Sequence, residues 1–333
     1  MTRPPPPRVS VVIITYARPQ FLTTCLEHLG ALRTPPHEIL VVDASPDDRS
    51  RTLVAEKFPD VVYLRNDLGP GTMPESRQIG LARATGEIIS FIDDDAYVDE
   101  LWLDALTSPY ADPSVSAVGG RAVNALPGEE SEGLGSIGRL LPNGDLTGYF
   151  GADPGHQIDV DHLLGANMSF RVSALTSIGG IRGNYPGTCL CEESDISLRL
   201  GAAGHRLVFA PQAIVRHVAA PYQSGGQRFD RRYLYYSRRN HLMLLARVFG
   251  WSHPLVRRYA VTTVRDQQDY LRTTYRLLRG RPDVDGHLPT RTRRLTSPII
   301  LTRSACELAG LVAGVPAALR ARHQDRAAGV STP

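Results

Sequence analysis

The chain predicts an α/β protein: a mostly parallel central sheet flanked by helices, followed by a helical C-terminal extension. Three observations predict it. Short β-branched apolar runs alternate with segments whose apolar residues recur at helical spacing, the pattern of a parallel sheet with crossover helices. Two of those runs end in carboxylates, at Asp43 and at Asp93-Asp94-Asp95. Ligands of open α/β sheets bind beyond the carboxyl ends of the strands, so these acids fall where a site belongs. Beyond Arg228 the strand runs cease and long helical patterns take over.

Proline-rich Thr2 to Arg8 leads into the first strand, Val9 to Tyr16. Phe21, Leu22, Cys25, Leu26, Leu29 and Leu32 predict a helix that Pro35-Pro36 stops. His37 to Asp43 reads as the second strand, Thr52 to Phe58 as a short helix and Val61 to Leu64 as the third strand. After a Gly/Pro loop at 70–72, Glu75 to Ala84 is helical and Ile88 to Ile92 is a buried fourth strand. Leu101 to Leu106 predicts a helix and Val115 to Gly119 a strand. Asn124 to Pro154, with seven glycines, predicts a mobile lid or a decorated loop. Asp161 to Arg171 is strand-like, Leu175 to Ile178 a helical turn, and Glu192 to about Gly204 an amphipathic helix. Leu207 to Pro211 and Ala213 to His217 predict two short strands. Helices then follow at Arg228 to Phe249, Leu255 to Leu278 and Ile299 to Ala321, with a loop at 283–292 and a kink or end at Pro316.

The 333 residues carry a net charge of +3, which selects no partner, but the charge is uneven. From Arg228 to Arg294 there are 16 Arg and 5 Asp with no Lys or Glu, a local excess of +11. Such a stretch suits a phosphate-binding wall, a membrane-facing surface or a nucleic-acid surface. Cys25, Cys189, Cys191 and Cys306 match neither a zinc pattern nor a disulfide framework, so free thiols in a reducing compartment are expected. Met1 to Arg8 lacks the apolar core of a signal peptide. No run of about 20 uninterrupted apolar residues predicts a spanning helix. The absence of GxGxxG after the first strand and of GxxxxGK[ST] removes the dinucleotide fingerprint and the P-loop.

The acids have chemistry of their own. Three adjacent carboxylates repel one another unless a cation joins them, and a divalent ion held with phosphates needs hard oxygen ligands. The same triplet also reads as a solvated turn, Asp43 as a turn residue before Ala44-Ser45-Pro46, and Glu192-Glu193-Ser194-Asp195 as a capping cluster.

The stretches VVIITYAR, ILVVDASPDD, GPGTMPESRQIGLARATGEIISFIDDDA, LLGANMSFR, CEESDISLRLGAAGHRLVFAP and AIVRH occur in this order. Together they resemble the inverting family 2 glycosyltransferases of the GT-A fold, from about Val9 to about Asn240. The resemblance implies a Rossmann-like GT-A domain over 9–240, with a nucleotide-sugar half at 9–120 and an acceptor half at 121–240, and a helical region at 241–333. It places Asp43 against the nucleobase, where a carboxylate accepts a ring N–H, so UDP or dTDP is the preferred nucleotide. Thr15, Tyr16 and Arg18 line the same pocket, and Asp94 is expected at the donor with them. Asp93-Asp94-Asp95 corresponds to the DxD-type motif, with Asp93 at the ribose or metal shell, Asp95 the direct ligand, and the late histidine His217 completing the site. An imidazole suits Mn2+ better than Mg2+. Arg77 resembles the arginine that contacts the diphosphate or braces Asp93, and Asn167 the segment that lines the donor sugar. Glu193 falls where the family most often has a catalytic Asp, one methylene longer here, so the base stays open among Glu192, Glu193 and Asp195. No processive QxxRW motif matches.

The implied reaction moves a sugar from a nucleoside-diphosphate-sugar to a hydroxyl of a glycan, a lipid-linked or a small-molecule acceptor, with Mn2+ or Mg2+ as cofactor. Arginines around Tyr222 to Arg232 are expected to help the diphosphate leave, and Ser224-Gly225-Gly226 to close over the donor. A nucleotidyltransferase would need a basic glycine-rich signature after the first strand, and Ala17-Arg18-Pro19 is not one. A non-catalytic carbohydrate- or nucleic-acid-binding protein would leave the acid-ended strands unexplained, so no nucleic acid partner is expected. The location expected is cytoplasmic, peripheral at the inner face of the membrane, with the C-terminal helices supporting self-association or shallow membrane contact.

Overall fold

The computed structural model describes residues 7–187, 189–218, 230–282 and 291–330, with only the backbone at 291–298. The Ser224-Gly225-Gly226 stretch, the arginine at 228 and residues 283–290 of the loop predicted at 283–292 lie outside the described residues, and 291–292 are helical. By contact the chain forms two units. The first takes 1–140, 146–184 and 192–225; the second takes 141–145, 185–191 and 226–333.

The first unit is built on one mixed sheet. Strands β1 (Val9–Thr15), β2 (Glu38–Asp43), β3 (Val62–Arg65) and β4 (Ile88–Asp93) are parallel in the order β3-β2-β1-β4. Helices α1 (Pro19–Gly30), α2 (Arg49–Lys57) and α3 (Met73–Arg83) connect them. The periodicity of α1 is realised directly: Leu22, Cys25, Leu26 and Leu29 are its buried face, and Pro19 sits in its first turn, where no N–H is missed. In β4, Ile88, Ile89, Phe91 and Ile92 are all buried, at roughly 1.5–3 kcal/mol each. This is why the run reads as continuously apolar.

Beyond β4 the sheet becomes mixed. Strand β5 (Ala96–Val98) and helix α4 (Trp102–Thr107) precede β6 (Val115–Val123), β7 (Ile158–Asp159), β8 (Asn167–Arg171), helices α5 (Val172–Ser177) and α6 (Glu192–Ala202), and β9 (Arg206–His217). The full order is β3-β2-β1-β4-β8-β6-β9-β5, with β7 also on β9. Strand β8 runs antiparallel to both β4 and β6. The strand predicted from Asp161 begins only at Asn167, because the preceding segment is loop that buries His162 and Leu163.

The two short strands predicted on either side of Pro211 are one strand, β9. Its pairing with β6 shifts register between Gly120 and Arg121, where Ala210 is followed by Ile214 as partner. The residues skipped include Pro211, which has no N–H for the ladder, and a bulge is the way a strand accommodates it. Glycine is required opposite: a Cβ at Gly120 would run into the Ala213 carbonyl oxygen and the Asn167 amide. The glycine-rich segment after β6 keeps one 3-10 turn, Leu134–Ser136, and a bridge between Leu140 and Leu146. It is anchored by buried Ile137, Phe150 and Ala152, so it is a decorated loop and not a free lid.

The second unit holds α7 (Arg231–Phe249), α8 (Pro254–Leu278) and α9 (Arg291–Ala327). Thus α7, which the expected boundary at 240/241 divides, belongs whole to the second unit and packs with the C-terminal helices. Asp230 caps α7 by accepting from the Tyr233 N–H. Helix α9 continues through Pro316, so of the kink or end expected there the end does not occur. Its Gly310 and Gly314 bring the backbones of α9 and α7 together, since a Cβ would meet the Tyr235 carbonyl at one and Leu242 at the other. Close packing of that kind offsets the roughly 3 kcal/mol cost of an interior proline. The basic excess is also partly internal: Glu307 binds Arg238 and Arg303, and Asp325 binds Arg247 at 2.6 Å. Those acids lie beyond the stretch that gave +11. Among the described residues, Ile299–Ala327 is long and apolar enough to cross a membrane by length and composition. Its two acids, Glu307 and Asp325, are buried ion-pair partners of α7, while Ile299, Val312 and Leu319 stay exposed.

Candidate active site

The site is assembled where β4 ends. The chain leaves Asp93, turns through Asp94 and Asp95, and pairs β5 antiparallel with the end of β9, with Ala96 opposite His217. The Val218 N–H donates to the Asp95 carbonyl at 3.0 Å and fixes the turn. The His217 Nε2 lies 3.4 Å from Asp95 Oδ1. One ligand atom from each of Asp93, Asp95 and His217 lies within 4.8 Å of the others. Asp93 and His217 keep 24% and 20% of their side chains open, so the cluster is reachable. Burial and the neighbouring Asp95 charge push the Asp93 carboxyl above its ordinary range. Two crowded carboxylates with one imidazole, mutually close and partly open, suit a divalent ion, and the residues present fit one.

Asp94 does something else. Its carboxylate is fully buried, accepting from Thr15 Oγ1 at 2.7 Å and from the Arg18 guanidinium. Burial, countered by Arg18, pushes its carboxyl up to about 7. Arg18 also reaches Asp95 Oδ2 at 3.4 Å. Thr15, Arg18 and Asp94 were expected against the nucleotide; Thr15 and Asp94 are instead an internal fastening that ties the end of β1 to the acidic turn. Tyr16 is half-buried beside them, and the next residue, Ala17, takes a positive φ of 53° with its N–H on Ser45 Oγ.

Asp43 is likewise spoken for. One oxygen accepts from the Ser45 N–H and hydroxyl, the other from the Tyr63 hydroxyl at 2.9 Å, with Arg65 3.8 Å away. The carboxylate has no exposed surface in this structure. Asn167, expected along the donor sugar, is turned inward. Its carbonyl oxygen accepts from Trp102 Nε1 at 2.9 Å, and both amide hydrogens go to the carbonyls of Arg121 and Ala213. Buried in the middle of the sheet, it joins α4, β6 and β9 and leaves no donor for a sugar.

The three acids that open α6 separate by environment. Glu192 is buried in an ion pair with Arg77, which also lies 3.8 Å from Asp93. Asp195 is buried and accepts from Arg199 Nε at 2.6 Å. Glu193 alone of the three is half open. Burial raises its carboxyl above the ordinary range, Arg77 opposes this, and the Asp93 charge adds to it. Arg77 therefore braces Asp93 and Glu192 from below; its donation to the Gly165 carbonyl holds it there. No local pattern pointed to Tyr63, which fastens Asp43, or to Cys25, whose thiol lies 3.8 Å from the Asp93 carbonyl. Burial and the three nearby acids keep that thiol protonated.

The family model described as Glycosyl transferase family 2 matches residues 10–176. A glucosyl-dolichyl phosphate glucuronosyltransferase of Haloferax volcanii is 28% identical over 65% of this chain and 71% of its own length. A pre-mycofactocin glycosyltransferase of Mycobacterium tuberculosis is 28% identical over 63% of this chain, but only 42% of its own length. Among solved structures, the mannosyltransferase PcManGT of Pyrobaculum calidifontis, in complex with GDP-Man and Mn2+, aligns with 98% of this chain and 77% of its own. The TM-score is 0.53 at 18% identity, a likeness of fold.

Proposed function

The chain belongs to glycosyl transferase family 2 and is an inverting glycosyltransferase, and from that premise we propose that it acts on a nucleoside-diphosphate-sugar with a divalent cation at Asp93, Asp95 and His217. The observation that carries the reading is the convergence of those three side chains, with Glu193 the least buried of the α6 acids and close enough to feel the Asp93 charge. A bound cation supplies positive charge that offsets the departing diphosphate. The remaining work falls to this chain's own residues. Arg77 and Arg18 hold Asp93, Asp94 and Asp95 in place from the buried side. Glu193 Oε takes the proton from an acceptor hydroxyl as that oxygen attacks the anomeric carbon opposite the diphosphate.

The acceptor is a hydroxyl of a glycan, a lipid-linked or a small-molecule compound. The relative that acts on glucosyl-dolichyl phosphate favours a lipid-linked acceptor among these. The expected preference for UDP or dTDP rested on Asp43, and its oxygens are engaged by Ser45 and Tyr63. The base is therefore left to measurement. The test is release of nucleoside diphosphate from UDP-, dTDP- and GDP-sugars, each with Mn2+, with Mg2+ and with EDTA. Turnover that is equal with EDTA would overturn the cation reading. Absence of any release, or of any nucleotide binding, would overturn the donor class.

A further inference from the structure

We propose that the second unit carries a binding site for phosphate groups, in a cavity of about 580 Å³ lined by Arg257, Arg258 and Arg265 of α8 and by Pro142 and Asn143. The volume lies in the range of ligand sites. On a helix, positions 257, 258, 261 and 265 fall within one side of the cylinder, so three guanidiniums and Val261 share it. The arginines are exposed. Among the described residues, none of the three has a carboxylate within ion-pair distance; Arg258 donates to the Pro142 carbonyl at 3.2 Å, which draws the 141–145 segment into the wall. This sets them apart from Arg238 and Arg247 of the same unit, whose charges are satisfied by Glu307 and Asp325. Asp266, the next acid along the helix, lies 3.7 Å from Arg238.

Three like charges around one concavity repel one another, and an anion relieves that repulsion. Guanidinium pairs bidentately with phosphate and is weakly hydrated, so a phosphate or diphosphate is the anion this set suits best. Pro142 and Val261 add apolar surface beside the arginines, which a phosphate carried on an apolar chain would also cover. The phosphate comes either free in solution or as the headgroup of a lipid. The proposal is independent of the catalytic reading, because it concerns binding and uses other residues.

The test uses the full chain with EDTA present and Asp95→Ala in every sample, so that the acidic cluster cannot hold the probe through a metal. Inorganic pyrophosphate is titrated calorimetrically against this parent, against added Arg265→Gln, and against added Arg257→Gln/Arg258→Gln/Arg265→Gln. The expectation is about three-fold weaker binding for the single change and ten-fold or more for the triple one, with affinity falling steeply in salt. A triple arginine-to-lysine variant keeps the charge but not the bidentate pairing, so it is expected to bind between the parent and the triple glutamine variant; unchanged melting separates these effects from a loss of folding. A second arm floats the proteins with phosphatidylglycerol or phosphatidylcholine vesicles. Capture by the anionic vesicles alone, lost in the triple variant and displaced by pyrophosphate, assigns the phosphate to a headgroup. Pyrophosphate binding without vesicle capture assigns it to a soluble anion. Equal binding of both probes by parent and triple variant, or no binding by the parent, overturns the site.

Discussion

Across the β5–β9 pair, Ala96 stands opposite His217, and this register sets the imidazole Nε2 3.4 Å from Asp95 Oδ1. The strand pairing, more than any local motif, makes the acidic turn and the late histidine one site. If they act together on one cation, Asp95→Ala and His217→Ala weaken Mn2+-dependent binding of nucleoside diphosphate alike, by roughly ten-fold or more. Calorimetric titration with and without Mn2+ measures it. Wild-type affinity in either variant removes that residue from the site.

The least buried carboxylate of α6, Glu193, makes a kinetic prediction. Glu193→Gln lowers kcat by about 10²-fold or more while the donor dissociation constant stays near wild type. Glu192→Gln and Asp195→Asn act first on stability, because each breaks a buried ion pair, with Arg77 and Arg199 respectively. Leaving one charge of such a pair unmatched costs about 3–5 kcal/mol. Saturating kinetics beside urea denaturation of the three variants distinguishes the outcomes. A collapse of kcat in a fully stable Asp195→Asn, with Glu193→Gln active, would move the base.

A pH dependence follows with a definite sign. A general base works deprotonated, so activity falls as pH falls through its pKa. Burial raises the Glu193 carboxyl, so the acidic limb of kcat lies above the pH at which an ordinary glutamate titrates. The residual activity of Glu193→Gln loses that limb. A pH–rate profile for both proteins checks this, and the same limb in the variant assigns it to another group.

Asn167 predicts the opposite pattern from a ligand-binding residue. Its amide satisfies the buried Trp102 N–H and two backbone carbonyls. Asn167→Ala leaves these groups unpaired, at about 1–3 kcal/mol each. The expected result is a lower unfolding midpoint with donor affinity unchanged in the folded fraction. A stable variant with weakened donor binding would return Asn167 to the donor pocket.

Gly120 links the fold to the site. A Cβ there meets the Ala213 carbonyl at the bulge that resets the β6–β9 register before His217. Gly120→Ala is expected to destabilise the first unit by about 1–3 kcal/mol through overpacking. It is also expected to weaken Mn2+ binding although it touches no ligand. Intact Mn2+ affinity in the folded variant would show that the bulge does not govern His217.

Much of this was written in local sequence. The runs at Val9–Thr15, Glu38–Asp43 and Ile88–Asp93 are mostly buried, so their continuous apolarity declared parallel strands, and the terminal acids of the last two marked the sheet edge. The spacing of Leu22, Cys25, Leu26 and Leu29 declared α1 in the same way. Tertiary structure decided what local sequence does not encode: strand order, register and which polar group meets which. The antiparallel insertion of β8 between β4 and β6 spends the Asn167 amide inside the sheet. The turn after β4 sends Asp94 inward to Thr15 and Arg18 while Asp93 and Asp95 meet His217. Three adjacent aspartates are chemically identical in sequence. They differ only after the chain has folded, because burial and the nearest opposite charge are properties of long-range packing.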